Sequence, residues 1–301
     1  VAPPPRSAPT VETMNLMRQQ YAERFAGHDL QVAFFHGGFP KQGLLDAAGS
    51  TPFRLSLNPA DLNPERARRF QCSGGDTIEL EVMTFDPHTL RTCGRPYTAT
   101  KVRAMGSRLK SMGLKVGIHL VPGLPSGDFE SALQDASEAA RCGWVDFVRI
   151  WPALGFKGAT IAEWADNGSW VPWEVADAIR VVSQMVDTLD ANGVPVVRIG
   201  IQPGQDIPVR ALSGPVHPNL RGEIESRRFG DRLEKALAGT QEGADVVVLV
   251  NTKDLAWAKG TSNTNTKRCK GLYNLGSMRI VANASVKRGA VVVQAGRKGN
   301  S

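Results

Sequence analysis

The sequence lacks a long apolar run, since no stretch of about 18 uncharged apolar residues is present to span a membrane. The first residues, Val1-Ala2-Pro3-Pro4-Pro5, contain no apolar signal core. The composition, 42% hydrophobic and 22% charged, is typical of a soluble globular protein. We therefore predict a protein that does not associate with a membrane.

Cysteine is scarce and scattered. The four cysteines, Cys72, Cys93, Cys142 and Cys269, form no pair with zinc-ribbon, thioredoxin or cluster-loop spacing. We expect isolated cysteines to be small buried side chains, and their free thiols indicate a reducing cytoplasm. The five histidines also lack metal-ligand spacing, and no nucleophile elbow or phosphate loop is present.

The net charge of +7 is spread unevenly along the chain. Residues 251–301 contain ten basic residues and one acid, Asp254, so residues 1–250 carry the remaining −2. A basic segment of this kind can bind phosphates by releasing counterions. We therefore predict that the C-terminal segment binds RNA, and a solvated, solubilising tail is the alternative.

Apolar runs alternate with helical patterns between residues 30 and 202. The predicted strands are Leu30–Phe35, Phe53–Leu57, Thr77–Phe85, Lys115–Val121, Val145–Trp151 and Val194–Ile201. The predicted helices are a Thr10-capped helix ending near Gly27, Pro64–Phe70, Ala99–Met112, Phe129–Arg141 and Trp173–Asn192. This alternation predicts an α/β fold, a partial (β/α)6 barrel whose site lies at the carboxyl ends of its parallel strands. The first apolar run is typical of a strand buried on both faces.

A different pattern follows Pro203. It predicts a helix over His217–Leu237, a strand over Ala244–Val250, a polar loop over Gly260–Thr266, and two further strands over Met278–Asn283 and Ala290–Val293. This is the pattern of a small α+β module. We predict a barrel domain over residues 1–212 and a basic C-terminal module over residues 213–301.

Three loops at predicted strand ends carry candidate binding residues. The pair Gly37-Gly38 lets a ligand approach the backbone, although a simple turn explains two glycines as well. His119, followed by a rigid loop from Pro122, suits a flat ligand such as adenine, and a buried histidine above a tight turn is the alternative. Arg95 and Tyr97 are placed to face a charged substrate, or to be merely solvated.

These motifs together resemble radical S-adenosylmethionine (SAM) proteins, in the branch that contains the catalytic subunit of Elongator and its bacterial relatives. The matching segments, in order, are Ala33–Phe39, Thr77–Leu80, Arg95–Thr98, His119–Pro125, Arg149–Pro152, Ser213–Asn219 and Glu225–Arg227. The resemblance covers nearly the whole chain. No single motif is decisive, but their order and spacing are fairly specific.

The resemblance implies SAM and a [4Fe-4S] cluster as cofactors, with reductive cleavage of SAM to a 5′-deoxyadenosyl radical that takes hydrogen from a substrate such as transfer RNA. It implies that Gly37 and Gly38 bind the amino group of SAM. By the same resemblance, cofactor-binding residues further along the chain are Glu79, Thr84, His119, Pro122 and Arg149.

The chain also departs from the family pattern. The Cys-x3-Cys-x2-Cys motif that holds the cluster is absent, and because the chain does not begin with Met we expect it to start inside a longer reading frame. The hydroxyl residue that normally follows the glycine pair is missing, Glu81 replaces a glycine and Met83 replaces a glutamine.

Three functions are compatible with these features of the sequence. The first is a radical SAM enzyme whose cluster loop lies outside this chain. The second is a catalytically inactive barrel that binds RNA or a protein. The third is a metal-independent barrel enzyme of another kind.

Overall fold

The computed structural model of the chain describes residues 10–27, 30–49, 51–201 and 211–296. It divides into two compact units. Unit 1 comprises Val1–Glu174 and Thr188–Val216, and unit 2 comprises Val175–Asp187 and His217–Ser301. The predicted domain boundary at residue 213 stays a prediction. The grouping of Val175–Asp187 with unit 2 was not predicted.

Unit 1 is built from alternating strands and helices. Its main sheet contains β1 (Val32–Gly37), β2 (Phe53–Leu57), β3 (Gly75–Met83), β4 (Lys115–Leu120), β5 (Phe147–Ile150) and β7 (Val196–Ile199). A short antiparallel pair joins β6 (Gly155–Phe156) and β8 (Ala211–Ser213). The helices are α1 (Val11–Arg24), α2 (Gln42–Asp46), α3 (Pro64–Cys72), α4 (Pro87–Thr92), α5 (Ala99–Ser111), α6 (Phe129–Arg141) and α7 (Thr160–Asp166), and α8 (Val175–Ala191) is shared by the two units.

The six strands pair in the order β1-β2-β3-β4-β5-β7, and every pair is parallel. The prediction of a partial (β/α)6 barrel is therefore confirmed. Side-chain caps fix the starts of several helices, because each cap accepts a hydrogen bond from an otherwise unpaired backbone N–H in the first turn. These caps are Thr10, Asn63, Thr98 and Asp128.

The two faces of the main sheet differ in chemistry because successive side chains of a strand point to opposite faces. One face, called here the outer face, carries large apolar side chains that are fully buried. They include Leu55, Leu57, Ile78, Leu80, Ile118, Leu120, Val148 and Ile150. Helix α3 packs against the sheet through the rings of Phe70 and Phe53, whose centroids are 5.1 Å apart. The opposite, inner face carries the polar residues described below.

Unit 2 has a three-stranded sheet in the order β10-β9-β11, formed by β9 (Asp245–Val250), β10 (Ser277–Ala282) and β11 (Val291–Ala295). Strand β9 runs parallel to β10 and antiparallel to β11. The helices of this unit are α9 (Leu220–Leu237), α10 (Leu255–Lys259) and α11 (Thr264–Leu272). Its core packs Phe229 and Leu233 of α9 against Val246, Val248 and Val250 of β9.

Two predictions about local structure are wrong. Strand β1 is not buried on both faces: Ala33 is exposed, since β1 has only one neighbouring strand among the described residues. The polar stretch Gly260–Thr266 is not wholly a loop, because helix α11 begins at Thr264. Burial of Asn265 and Cys269 stabilises this helix although its sequence has a weak helix propensity. The short helices α2, α4, α7 and α10 were missed.

Candidate active site

The inner face of the main sheet holds a buried carboxylate that three basic side chains share. Glu79 on β3 is fully buried. It accepts hydrogen bonds from Arg149 on β5, with Nε to Oε2 at 2.6 Å and Nη2 to Oε1 at 3.1 Å, and its Oε2 lies 2.8 Å from Nε2 of His119 on β4. Arg54 on β2 contributes an ion pair at 3.3 Å. One carboxylate thus gathers side chains from three other strands.

Burial and partners act in opposite directions on this carboxylate. Burial alone raises the pKa of Glu79, but hydrogen bonds from His119 and Arg149, together with the charge of Arg149, lower it below its ordinary value. Glu79 is therefore ionised. Its charge is offset by two guanidinium groups, which makes the inner face locally cationic.

Several polar atoms on this face are buried without a hydrogen-bond partner in the described residues. They are Nδ1 of His119, Nε1 of Trp151, Oγ of Ser56 and Nε of Arg54. The rings of His119 and Trp151 are in contact, with centroids 4.7 Å apart. Because buried polar groups are nearly always paired in folded proteins, unpaired ones in a cluster indicate a bound ligand or water.

Sequence reasoning identified Glu79, His119 and Arg149 but missed Arg54 and Trp151. The structure brings all five together. A signal was present, because Arg54 and Arg149 each lie between apolar residues within a strand. A charged residue in such a place must face away from the apolar side. Applying the two-residue period to the predicted strand Phe53–Leu57 would have found Arg54.

A cavity of about 430 Å³ opens where β3, β4 and β5 end. Its wall is mostly apolar and includes Met83, Val121, Leu124, Ala153 and Trp164. Arg95 also lines it, and the Nε of Arg95 is buried without a partner. An apolar cavity of this size with a few convergent polar groups is the usual form of a small-molecule site.

Met83 occupies a turn that few residues other than glycine adopt. Its φ is +66°, and the N–H of Thr84 donates to the carbonyl of Val82 at 2.8 Å, which makes Met83 the centre of a γ-turn. The N–H of Val121 donates to the carbonyl of Met83 at 2.7 Å. Strained backbone of this kind persists where surrounding contacts impose it, and it clusters at functional sites.

Two side chains hold this turn, one from helix α6 and one from the loop before helix α5. Asp135 of α6 accepts a hydrogen bond from the N–H of Phe85 at 2.7 Å and another from the hydroxyl of Thr84. The hydroxyl of Tyr97 donates to the carbonyl of Glu81 at 2.9 Å. Burial raises the pKa of Asp135 to about 7.

The remaining predicted residues are less closely gathered. The hydroxyl of Thr84 donates to Asp135 and accepts a hydrogen bond from the N–H of Asp86 at 3.0 Å, so it is already paired within the protein. Pro122 is buried next to Val121. Gly37 ends β1, and a Cβ built on Gly38 would meet no atom within 4 Å, so the backbone there is open to a ligand. The role of these glycines in binding SAM stays a prediction.

The described residues contain no group of histidine, cysteine, aspartate or glutamate able to hold a metal ion. Only Cys269 of the four cysteines is buried, which corrects the expectation that all are; Cys72 is exposed. Burial raises the pKa of the Cys93, Cys142 and Cys269 thiols, which disfavours the thiolate that binds iron. These residues do not fit a [4Fe-4S] cluster. No helix in the described part of the chain is long and apolar enough to cross a membrane.

A family model described as the radical SAM C-terminal domain matches residues 145–228. The transfer RNA uridine(34) acetyltransferase of Methanocaldococcus jannaschii is 31% identical over 153 residues, which are 50% of this chain and 27% of that protein. The protein of the same name from Methanocaldococcus infernus is 30% identical over 153 residues, covering 50% of this chain and 28% of its own length. The chain thus spans little more than a quarter of these relatives.

Among solved structures, the Elp3 protein of Methanocaldococcus infernus with an N-terminal deletion has a similar fold. Its TM-score is 0.62 at 19% identity, and the match covers 73% of this chain and 59% of that one. At this identity the likeness concerns the fold. Together with the sequence matches, it confirms the resemblance drawn from the motifs.

Proposed function

We propose that this chain, a relative of the Elongator-like branch of radical SAM proteins, binds SAM at the carboxyl ends of its barrel strands and serves an enzyme that modifies transfer RNA. The observation that carries the proposal is the coincidence of two features in unit 1. The apolar cavity begins directly after β3, β4 and β5, and the unpaired polar atoms of the inner face lie on β2, on β4 and directly after β5.

The cavity has the chemistry that an adenosyl group requires. Its apolar wall, with Leu124 and Val121, suits the faces of a purine, and its volume of about 430 Å³ lies within the range of ligand pockets. The backbone at Gly37 and Gly38 is proposed to receive the amino group of the methionine part. Met83, where the family has glutamine, offers an apolar contact in place of a hydrogen bond.

The inner-face cluster is proposed to fix the polar edge of the bound molecules. The contact between Nε2 of His119 and Glu79 orients the imidazole ring and leaves Nδ1 of His119 without a partner among the described residues. Trp151 offers an N–H donor. Groups that are already held in place lose little conformational entropy when a ligand binds. A reduced [4Fe-4S] cluster would supply the electron for reductive cleavage of SAM. Since the described residues do not fit the cluster, no further step is assigned to it.

Titration of the chain with SAM, followed by calorimetry, tests the proposal. Ala159 lines the cavity and is half-buried, so Ala159→Leu narrows the cavity with little disturbance to the fold. We expect the Kd for SAM to rise about tenfold or more. Ala104→Leu is the matched control, because Ala104 lines a separate cavity of about 400 Å³. Equal affinities for SAM in both variants, or no binding by the unchanged chain, would refute the assignment.

A second candidate function, RNA binding by the basic C-terminal module, rests on unpaired charge. Lys253, Lys267, Lys270, Arg279 and Lys287 are exposed and have no ionic partner among the described residues. Two other arginines of the same unit are paired with acids. Arg268 lies 3.0 Å from Glu234, and Arg288 lies 2.6 Å from Asp254. Unpaired surface cations of this kind are available to phosphates.

Binding of transfer RNA at increasing salt concentration tests this second function. A phosphate-led interaction loses affinity steeply between about 50 and 200 mM salt. Replacing Lys267 and Lys270 by Gln should reduce the slope of log affinity against log salt concentration by about 0.9 for each lysine, or about 1.8 in total. A Lys110→Gln variant is the control, since Lys110 lies in unit 1 and pairs with Asp146 at 2.5 Å. A slope that is unchanged by the unit 2 substitutions would exclude this surface.

A further inference from the structure

Strand β7 contains an irregularity that places an arginine where the sheet already has one. The pairing of β5 with β7 passes from Val148 opposite Val196 to Arg149 opposite Arg198, so Val197 is an extra residue. Without this bulge, Val197 would face Arg149 and Arg198 would point to the apolar outer face. Bulges are uncommon between parallel strands and often re-aim a side chain near an active site.

The bulge creates an unfavourable arrangement. It sets two guanidinium groups side by side on the inner face, and like charges opposite each other destabilise a sheet. Burial and the charge of Arg149 both lower the pKa of Arg198. Glu79 partly offsets the charge of Arg149, but it makes no hydrogen bond or ion pair with Arg198 among the described residues.

Arg198 itself has no hydrogen-bond or ion-pair partner among the residues that the structure describes. It is half-buried, so it is partly shielded from water yet accessible. The guanidinium group presents N–H donors in a planar fork that matches phosphate. Nearby polar atoms of the inner face, including Nε1 of Trp151, are also unpaired.

We propose that Arg198 is a specificity-determining residue that binds a phosphate group of the nucleotide substrate at the inner face of the barrel. The proposal deepens the proposed function, because it names the anionic part of the substrate. A solvated surface arginine needs no bulge, whereas a phosphate ligand would offset the repulsion between Arg149 and Arg198. A bound anion would give Arg198 the partner that it lacks among the described residues.

Binding of uridine 5′-monophosphate and of uridine to the full chain tests the proposal, with SAM titrated in parallel. We expect the monophosphate to bind more tightly than uridine, and Arg198→Met to remove that preference with at least about a tenfold loss in affinity. Arg198→Lys should keep part of the preference, since it retains charge without the fork. Arg68→Met is the control, because Arg68 is an exposed arginine of helix α3 and belongs to no proposed binding surface.

Stability provides an independent readout. Arg198→Met should leave the midpoint of urea unfolding unchanged or raise it, because it removes a repulsion, whereas loss of a structural ion pair would lower it. Equal binding of uridine and its monophosphate by the unchanged chain, or no detectable binding of the monophosphate, would overturn the proposal. So would a lowered midpoint for Arg198→Met, or a loss of SAM binding by Arg198→Met with its nucleotide binding retained. If the unchanged chain fails to bind SAM but prefers the monophosphate to uridine, only the proposed function is refuted.

Discussion

Both units bury an arginine beside a glutamate, but the surroundings of the two pairs differ. In unit 2, buried Arg228 donates to Glu225 at 2.8 Å and to Asp187 at 2.7 Å, and the more exposed Arg221 and Arg232 each pair with one of these two acids. In unit 1, Glu79 is one acid shared by several bases. The buried base of unit 2 thus has two acids as partners, whereas in unit 1 one buried acid serves two arginines and a histidine.

The unpaired polar atoms follow the same division. Seven buried side-chain polar atoms lack a partner among the described residues, and all seven belong to unit 1. The polar core of unit 2 is thus self-sufficient, while unit 1 retains hydrogen-bonding capacity. Because unpaired buried groups are costly, their confinement to one unit is best explained by a ligand that binds there.

The largest effect that tests this comparison comes from Glu79→Gln. It removes the charge that balances Arg54 and Arg149, and loss of one partner in a buried ion pair costs about 3–5 kcal/mol. Urea unfolding followed by circular dichroism measures the change. Glu225→Gln is the matched control, since Arg228 keeps its bond to Asp187, and we expect a loss of about 1–2 kcal/mol. Equal losses would mean that the two clusters are alike.

The next effect concerns pH, because Asp135 is buried without a cationic partner among the described residues. Its pKa is raised to about 7 in the folded state, so the folded chain binds the proton more tightly than the unfolded chain. Stability from this group is complete below pH 4 and falls as pH rises toward about 7, by about 2–4 kcal/mol in total. The free energy of unfolding should be larger at pH 5 than at pH 8. The same measurement on Asp135→Asn gives the contribution of all other groups, which is subtracted. A variant with the same pH dependence as the unchanged chain would contradict this.

Sequence reasoning predicted the backbone of unit 1 better than its inner face. Five alternations of strand and helix, with turn residues between them, are enough to predict a parallel sheet. The strand Phe53–Leu57 and the helix Phe129–Arg141 were predicted to the residue, because each has a regular apolar period and a clear terminus. Helix α11 was not, since its stability comes from tertiary burial that no local pattern contains.

The site was predicted in part for a related reason. Glu79, His119 and Arg149 were singled out through a family resemblance, and their mutual contact is a property of register between strands. The bulge that turns Arg198 inward cannot be predicted from composition, because Val196 and Val197 look alike in the sequence. Only the pairing with β5 distinguishes them.

Crowding at the inner face gives a third test. Gly117 of β4 lies beneath the ring of Phe147, and a Cβ built on Gly117 would overlap that ring. Gly117→Ala should destabilise unit 1 by about 1–3 kcal/mol, as overpacking does. Gly271→Ala is the control in unit 2, because Gly271 lies within helix α11 with no atom near its would-be Cβ, and alanine there should stabilise by about 0.5–1 kcal/mol. Thermal unfolding of both variants decides it: a neutral Gly117→Ala would mean that the inner face is loosely packed.

The smallest expected effect separates stability from binding by comparing two tyrosines. Tyr97 in unit 1 donates to the carbonyl of Glu81 at 2.9 Å, and Tyr273 in unit 2 donates to the carbonyl of Glu234 at 2.8 Å. Each Tyr→Phe substitution removes one such hydrogen bond, so each should cost about 0.5–1.5 kcal/mol of stability.

Only the first of these hydrogen bonds holds the strained turn at Met83, which forms part of the cavity wall. Tyr97→Phe should therefore weaken SAM binding as well, whereas Tyr273→Phe should leave it unchanged. Calorimetric titration at a temperature where both variants are fully folded measures this difference. If Tyr97→Phe bound SAM as tightly as Tyr273→Phe does, the strain at Met83 would serve the fold alone, and the contrast between a unit arranged for a ligand and a self-sufficient unit would lose its local cause.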